Sequence, residues 1–282
     1  MKNWLMVSSL ILFCSFALCQ EDLAMAHADY SGGHFEQAIE KLNAKGRNEL
    51  SPGAYMLRAD CLHKLGKFSE ALNDYDRAKL HGYANPDLLL NRGICRSSAG
   101  AYDTAKLDIV AYLEYDREDP KAYYWLAHIE YLMMENNAAL RYVDEAVALD
   151  SLYEEAYFLR GAIFADQRKI LLAMEDFKTA YLINPKLHRA KFHFATLTMD
   201  LGLNEQAKEI LSELLLEETD FSDEIFYYRG WCSYTLHDSD GACNDWVESA
   251  RLGNHDSEES HRKGCLDKGG MPRIKRRSYA RF

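Results

Sequence analysis

Little punctuates this chain. Its 282 residues include five prolines, and no stretch is low in complexity. That excludes a Pro-rich linker or a fibrous chain. After residue 20 no apolar run approaches the ~20 residues of a membrane-spanning helix. There is no His-Glu-x-x-His and no Gly-rich phosphate loop, which removes two common enzyme classes. His188 and His193 are five apart and point about 140° apart on a helix, so they cannot share a metal. Acidic residues are spread along the chain rather than gathered as a catalytic pair. No catalytic residue, metal site or cofactor is expected. The chain also lacks an Asn-x-Ser/Thr sequon, and its formal net charge is −11.

The first twenty residues differ from the rest. "MKNWLMVSSLILFCSFALCQ" has Lys2, an apolar run from Trp4 to Phe16, then small residues. This is the layout of a secretory leader over 1–19, with Ala17 and Cys19 before the cleavage point and Gln20 opening the mature chain. Two alternatives are an uncleaved anchor and a lipoprotein acylated at Cys19; Leu18 is bulky for the latter. Export predicts a periplasmic or cell-envelope location in a bacterium, and it weighs against a nucleic-acid partner. Five cysteines follow the leader, so at least one thiol is left over within a monomer.

A register runs through the remainder. Alanines recur at Ala38, Ala71, Ala105, Ala139, Ala173, Ala207 and Ala242, at steps of 33 to 35 residues. Twelve residues before each lies another small residue: Ala26, Ala59, Gly93, Ala127, Gly161, Ala195 and Gly230. Apolar residues recur at helical spacing on both sides of a glycine turn in each copy, as in "AYMLRADCLHKLGKFSEALNDYDRA". Each copy is therefore two helices, brought close by small residues. The bulky residue four places after each alanine (Leu42, Tyr75, Ile109, Val143, Phe177, Leu211, Trp246) fills the seam. Pro52, Pro86, Pro120 and Pro185 fall near boundaries, where they open a first helical turn.

The 34-residue period, with Gly or Ala at position 8, Gly-x-aromatic at 15 and 17 and Ala at 20, resembles the tetratricopeptide repeat. The last copy, "GACNDWVESARLGN", is also similar to Sel1-like repeats. Departures occur at Met134, Asn136, Leu214, His237 and Ser239. The resemblance implies an all-α, right-handed α-solenoid of about seven units, near 20–51, 52–85, 86–119, 120–153, 154–187, 188–222 and 223–253. A closing helix over 254–266 and a basic tail over 267–282 follow. Such arrays need polar caps at both ends.

In this frame an arginine recurs at position 7 and an aspartate at position 23. Arg58, Arg92, Arg160 and Arg229 accompany Asp74, Asp108, Asp176 and Asp245, always in the same four units. The other three units lack both, with Met25 and Lys41, Leu126 and Tyr142, and Phe194 and Ile210. Internal covariation argues for contact. Arginine's planar fork suits a carboxylate. The pairs are expected to tie the two helices of a unit together, or to tie one unit to its neighbour.

The resemblance implies a concave groove lined by the first helix of each unit. Matching positions here are aromatic toward the C-terminal half: Tyr124, His128, Tyr131, Phe158, Phe192, Tyr227, Trp231 and Tyr234, with Arg189, Asp166 and Asp200 as polar points. Large rigid rings with polar tips suit a protein or peptide ligand. The same residues are also placed to pack between units. The basic pattern that clamps a C-terminal carboxylate in some relatives is not evident, since the early positions hold Met56, Asp60, Leu90 and Ile94.

Cys61, Cys95 and Cys232 fall where a small buried residue is expected. Cys243 and Cys265 are expected to form a disulfide stapling the C-terminal cap, with Cys232 as a competing partner. The tail carries Lys268, Arg273, Lys275, Arg276, Arg277 and Arg281 and no acid. It is suited to an anionic surface or to a solvated end. Together these features point to a non-catalytic exported scaffold that binds protein through its groove. A glycan- or cell-wall-binding module and an accessory subunit of an envelope enzyme are the alternatives.

Overall fold

The computed structural model describes residues 23–43, 50–266 and Ile274. The leader over 1–19, the segment 44–49 and nearly all of the basic tail lie outside the described residues. Regular structure among those described is entirely helical. Two compact units are distinguished, one ending at Ile129 and one beginning at Glu130.

In the first unit, α1 (23–31) precedes α2 (Phe35–Asn43), α3 (Pro52–Lys64) packs on α4 (Phe68–Leu80), and α5 (Asp87–Ser98) on α6 (Tyr102–Leu113). It ends within α7 (Pro120–Leu132). The second unit holds α8 (Asn136–Leu149), then the pairs α9 (Glu154–Asp166) with α10 (Ile170–Ile183), α11 (His188–Asp200) with α12 (Asn204–Leu214), and α13 (Ser222–Thr235) with α14 (Ser239–Arg251). A short α15 (His255–His261) and a π-helical turn over Arg262–Leu266 close it.

Local chemistry sets where these helices start. Ser51 caps α3, its hydroxyl accepting from the Ala54 amide at 3.2 Å, and Pro52 supplies the first helical residue. Pro120 likewise opens α7. Pro86 sits one residue before α5, and Pro185 lies in the loop ahead of α11, so only two of the four boundary prolines begin a helix. Asp238 caps α14 and Asn254 caps α15 through their side-chain oxygens.

The small-residue register explains the close packing. All seven repeat alanines are fully buried. A Cβ added at Gly93 would lie 2.7 Å from Ile109 Cγ1; at Gly230 it would lie 2.7 Å from Trp246 Nε1, and at Gly161 3.1 Å from Phe177. At these three positions the seam residue leaves no room for a Cβ without a shift. Tyr75, Ile109, Val143, Phe177, Leu211 and Trp246 are completely inaccessible, and Leu42 nearly so.

All four arginine–aspartate pairs are bidentate. Nε and Nη2 of Arg58, Arg92, Arg160 and Arg229 donate to the two oxygens of Asp74, Asp108, Asp176 and Asp245 at 2.6–2.9 Å. The remaining nitrogen, Nη1, reaches back to the preceding repeat. It donates to Asn43 at 2.5 Å, Asp76 at 2.7 Å, Asp144 at 2.9 Å and Ser212 at 3.3 Å. Each guanidinium thus joins the helices of its own repeat and also grips the second helix of the one before. The four acceptors share one repeat position, the twenty-fifth. In the other three repeats that position holds Val110, Lys178 and Val247, and no arginine follows.

At the C-terminal end Cys243 on α14 is disulfide-bonded to Cys265 in the π turn. Cys265 and Ile274 pack against the cluster that contains Trp231 and Trp246. Cys61, Cys95 and Cys232 are buried free thiols. Burial pushes the thiols of Cys61 and Cys232 up to about 12 and that of Cys95 up to about 11, so all three are poor nucleophiles.

Candidate functional site

The two units present different surfaces along their first helices. In the second unit the expected groove aromatics have sunk into the packing. Tyr131, Phe158, Phe192, Tyr227 and Trp231 are all buried. Phe158 packs on Phe177 at 5.4 Å between ring centres, Phe192 meets Phe221 and Tyr228 edge-on, and Trp231 meets Trp246 at 5.4 Å. These rings hold helices together and leave little area for a ligand. Tyr131 is fixed by its hydroxyl, which donates to Asp166 at 2.6 Å. Arg189 lies 3.9 Å above the Phe221 ring and pairs with Glu224 at 3.1 Å, so its charge is already engaged. Tyr234 and Arg189 are the half-buried members of the set here.

In the first unit Tyr124 is buried and stacks on the half-buried His128. Burial holds His128 well below the usual imidazole range, at about 4, so it is neutral at pH 7.

The open feature is elsewhere in this unit. A pocket of about 170 Å³ is formed by the first helices of four successive repeats. Tyr30 comes from α1, Asp60, His63 and Lys64 from α3, Asn91 and Ile94 from α5, and Lys121 and Trp125 from α7. Helical spacing puts Asp60, His63 and Lys64 on one face, and the repeat register aligns that face with its neighbours.

Asp60 is the centre of the pocket. Its Oδ1 accepts from the Tyr75 hydroxyl at 2.6 Å and from Asn91 Nδ2 at 3.1 Å. Tyr75 is fully buried, so the carboxylate is anchored from beneath. Desolvation raises the Asp60 carboxyl above its ordinary range, against the lowering effect of those two hydrogen bonds and of Lys121 and Lys64. The Tyr30 hydroxyl is raised as well, by burial and by the Asp60 charge. His63 is lowered by burial and shares a 3.2 Å hydrogen bond with Ser98. Lys64 and Lys121 are exposed, and neither forms an ion pair closer than 4 Å among the described residues.

In the sequence Asp60 stands out only as a departure from a basic pattern. The available signal was one polar residue on the first helix of each of three consecutive repeats, Asp60, Asn91 and Lys121. The arrangement has no paired nucleophile and base; it offers hydrogen bonds, charge and aromatic walls.

The family model described as anaphase-promoting complex, cyclosome, subunit 3 matches residues 15–78. No curated protein matches the chain in sequence. Solved structures are similar in fold. One is a tetratricopeptide repeat protein from Parabacteroides merdae, 17% identical, covering 85% of this chain and 94% of that one with a TM-score of 0.61. Another is the C-terminal part of a repeat-containing protein from Cytophaga hutchinsonii, 17% identical, covering 87% of this chain and 100% of that one at 0.62. The Cut9–Hcn1 hetero-tetramer of the APC/C is 12% identical over 82% of this chain, at 0.65, and this chain spans 48% of the matched one. At these identities the likeness establishes the fold, which is that of tetratricopeptide repeats.

Proposed function

We propose that this chain is a non-catalytic tetratricopeptide-repeat scaffold that binds a segment of another protein on the face formed by its first helices. The observation that carries this is the pocket around Asp60. Four repeats converge side chains on a space that the fold itself leaves unfilled. The fold neighbour Cut9 was solved in a complex with Hcn1, which supports the use of such an array in assembly.

A glycan-binding reading requires rings lying flat toward solvent. Phe158, Phe192, Tyr227 and Trp231 are instead buried, so the protein-binding reading is preferred. The leader-like residues 1–19 support export to the cell envelope, and cell fractionation with mass spectrometry of the native N-terminus tests that: recovery in the cytosol with an intact Met1 would refute it.

The experiment for the main reading is selection of binding peptides from a displayed library, followed by photocrosslinking to the full chain. Crosslinks at Tyr30, Asn91, Lys121 or Trp125 are expected. Crosslinks confined to the outer faces of α4 and α6, or no enriched peptide, would refute it.

A further inference from the structure

We infer that the Asp60 pocket takes one basic side chain of the partner, lysine or arginine, flanked in the partner's own chain by carboxylates. This assignment rests on the protein-binding reading and adds the chemistry of what is recognised.

The floor of the pocket asks for a cation. Oδ1 of Asp60 is committed to Tyr75 and Asn91, Oδ2 forms no hydrogen bond among the described residues, and the side chain is only half-buried. A half-desolvated carboxylate with one open oxygen gains most from a charged donor. The walls suit the stem of a basic side chain. Ile94 gives an apolar surface for its methylenes, and Trp125 and Tyr30 add aromatic side chains to the lining.

The rim sets the second requirement. Lys64 and Lys121 line the pocket and form no ion pair among the described residues, on a chain whose formal net charge is −11. A lone cation entering between two ammonium groups is repelled. A cation with acidic neighbours is not, because those acids meet the lysines while the cation meets Asp60. The three charges of the pocket then each meet an opposite charge from one short segment.

The test uses the full-length protein and three labelled peptides followed by fluorescence anisotropy. One is acetyl-Gly-Glu-Lys-Glu-Gly. The second has norleucine for lysine, and the third has glutamine for both glutamates. The first is expected to bind about tenfold tighter than either of the others, as for a charge-assisted contact. Asp60→Asn keeps an oxygen for Tyr75 and should erase the lysine–norleucine difference. Lys121→Glu changes an exposed side chain and should abolish the preference for glutamate flanks while the preference for lysine over norleucine persists or grows, because one repelling ammonium is gone. Equal binding of all three peptides, or discrimination unchanged by both variants, overturns the assignment. Library peptides that still crosslink to this face under those outcomes leave the broader reading standing; if none do, both fall.

Discussion

Repeats two, three, five and seven each bury an arginine–aspartate tie, whereas repeat six fills the same two positions with Phe194 and Ile210. One slot thus accepts either a bidentate ion pair or an apolar pair. Removing charge from water offsets much of the attraction in such a pair. The tie is therefore not needed simply to close a repeat. What the apolar version lacks is the third contact, in which Nη1 grips the preceding repeat. The difference assigns the ties to the stacking of successive repeats.

The largest effect should come from breaking the driest tie. Arg92 and Asp108 have side chains only 8% and 7% exposed, and Asp108 also holds Arg96 at 2.7 Å. Asp108→Ala leaves two cations without their shared carboxylate and should cost about 3–5 kcal/mol, read as a lower urea midpoint. Converting repeat five to the repeat-six solution, Arg160→Phe with Asp176→Ile, should cost less than Asp176→Ile alone. If the double variant is the worse of the two, the slot is not interchangeable and the comparison fails.

Repeat six has its own weak point, since it buries a neutral histidine next to Phe194. His193 is enclosed by Phe158, Phe177 and Phe192 at 5.2–5.6 Å between ring centres. Burial lowers its pKa from 6.5 to about 3. The unfolded chain takes up a proton below pH ~6.5 while the folded chain does not, so stability falls with pH between ~6.5 and about 3. The full loss is on the order of 5 kcal/mol. His193→Gln should flatten that part of the pH profile, measured by urea midpoints from pH 7 to pH 4. A profile identical to wild type would place the acid sensitivity elsewhere.

The sequence carried the frame further than the surface. A 34-residue register survives in one chain because every repeat solves the same packing problem with small residues at fixed positions. The aspartates sixteen residues after their arginines are legible for the same reason, since four copies are internal replicates. The acceptors Asn43, Asp76, Asp144 and Ser212 replicate too, but their chemistry varies and they belong to the previous repeat, so the pattern reads as ordinary surface polarity. Groove positions are harder. Register tells which face Phe192 or Trp231 lies on, not how deeply a neighbouring helix covers it. The pocket at Asp60 depends on the Tyr75 hydroxyl meeting the carboxylate and on side chains from four repeats lining one space, and neither shows in a single helix.

The smallest effect concerns the turns between paired helices. Position 15 adopts positive φ in all seven repeats: glycine takes it at Gly33, Gly66, Gly100 and Gly202, and Met134, Arg168 and His237 take it at φ 60° to 63°. A side chain there costs roughly 1 kcal/mol in the folded state, partly offset by the greater freedom glycine has when unfolded. Repeats five and seven accept that strain but keep their arginine ties, and repeats one and six lack the tie but keep glycine. Repeat four has neither, and the division between the two compact units falls within its first helix. Met134→Gly should therefore stabilise by about 0.5–1 kcal/mol and slow amide exchange in α7 and α8. Arg168→Gly and His237→Gly should gain a similar amount without changing exchange in those helices. If all three variants slow exchange in α7 and α8 equally, the weakness of repeat four does not lie in its turn, and the missing tie becomes its remaining distinction.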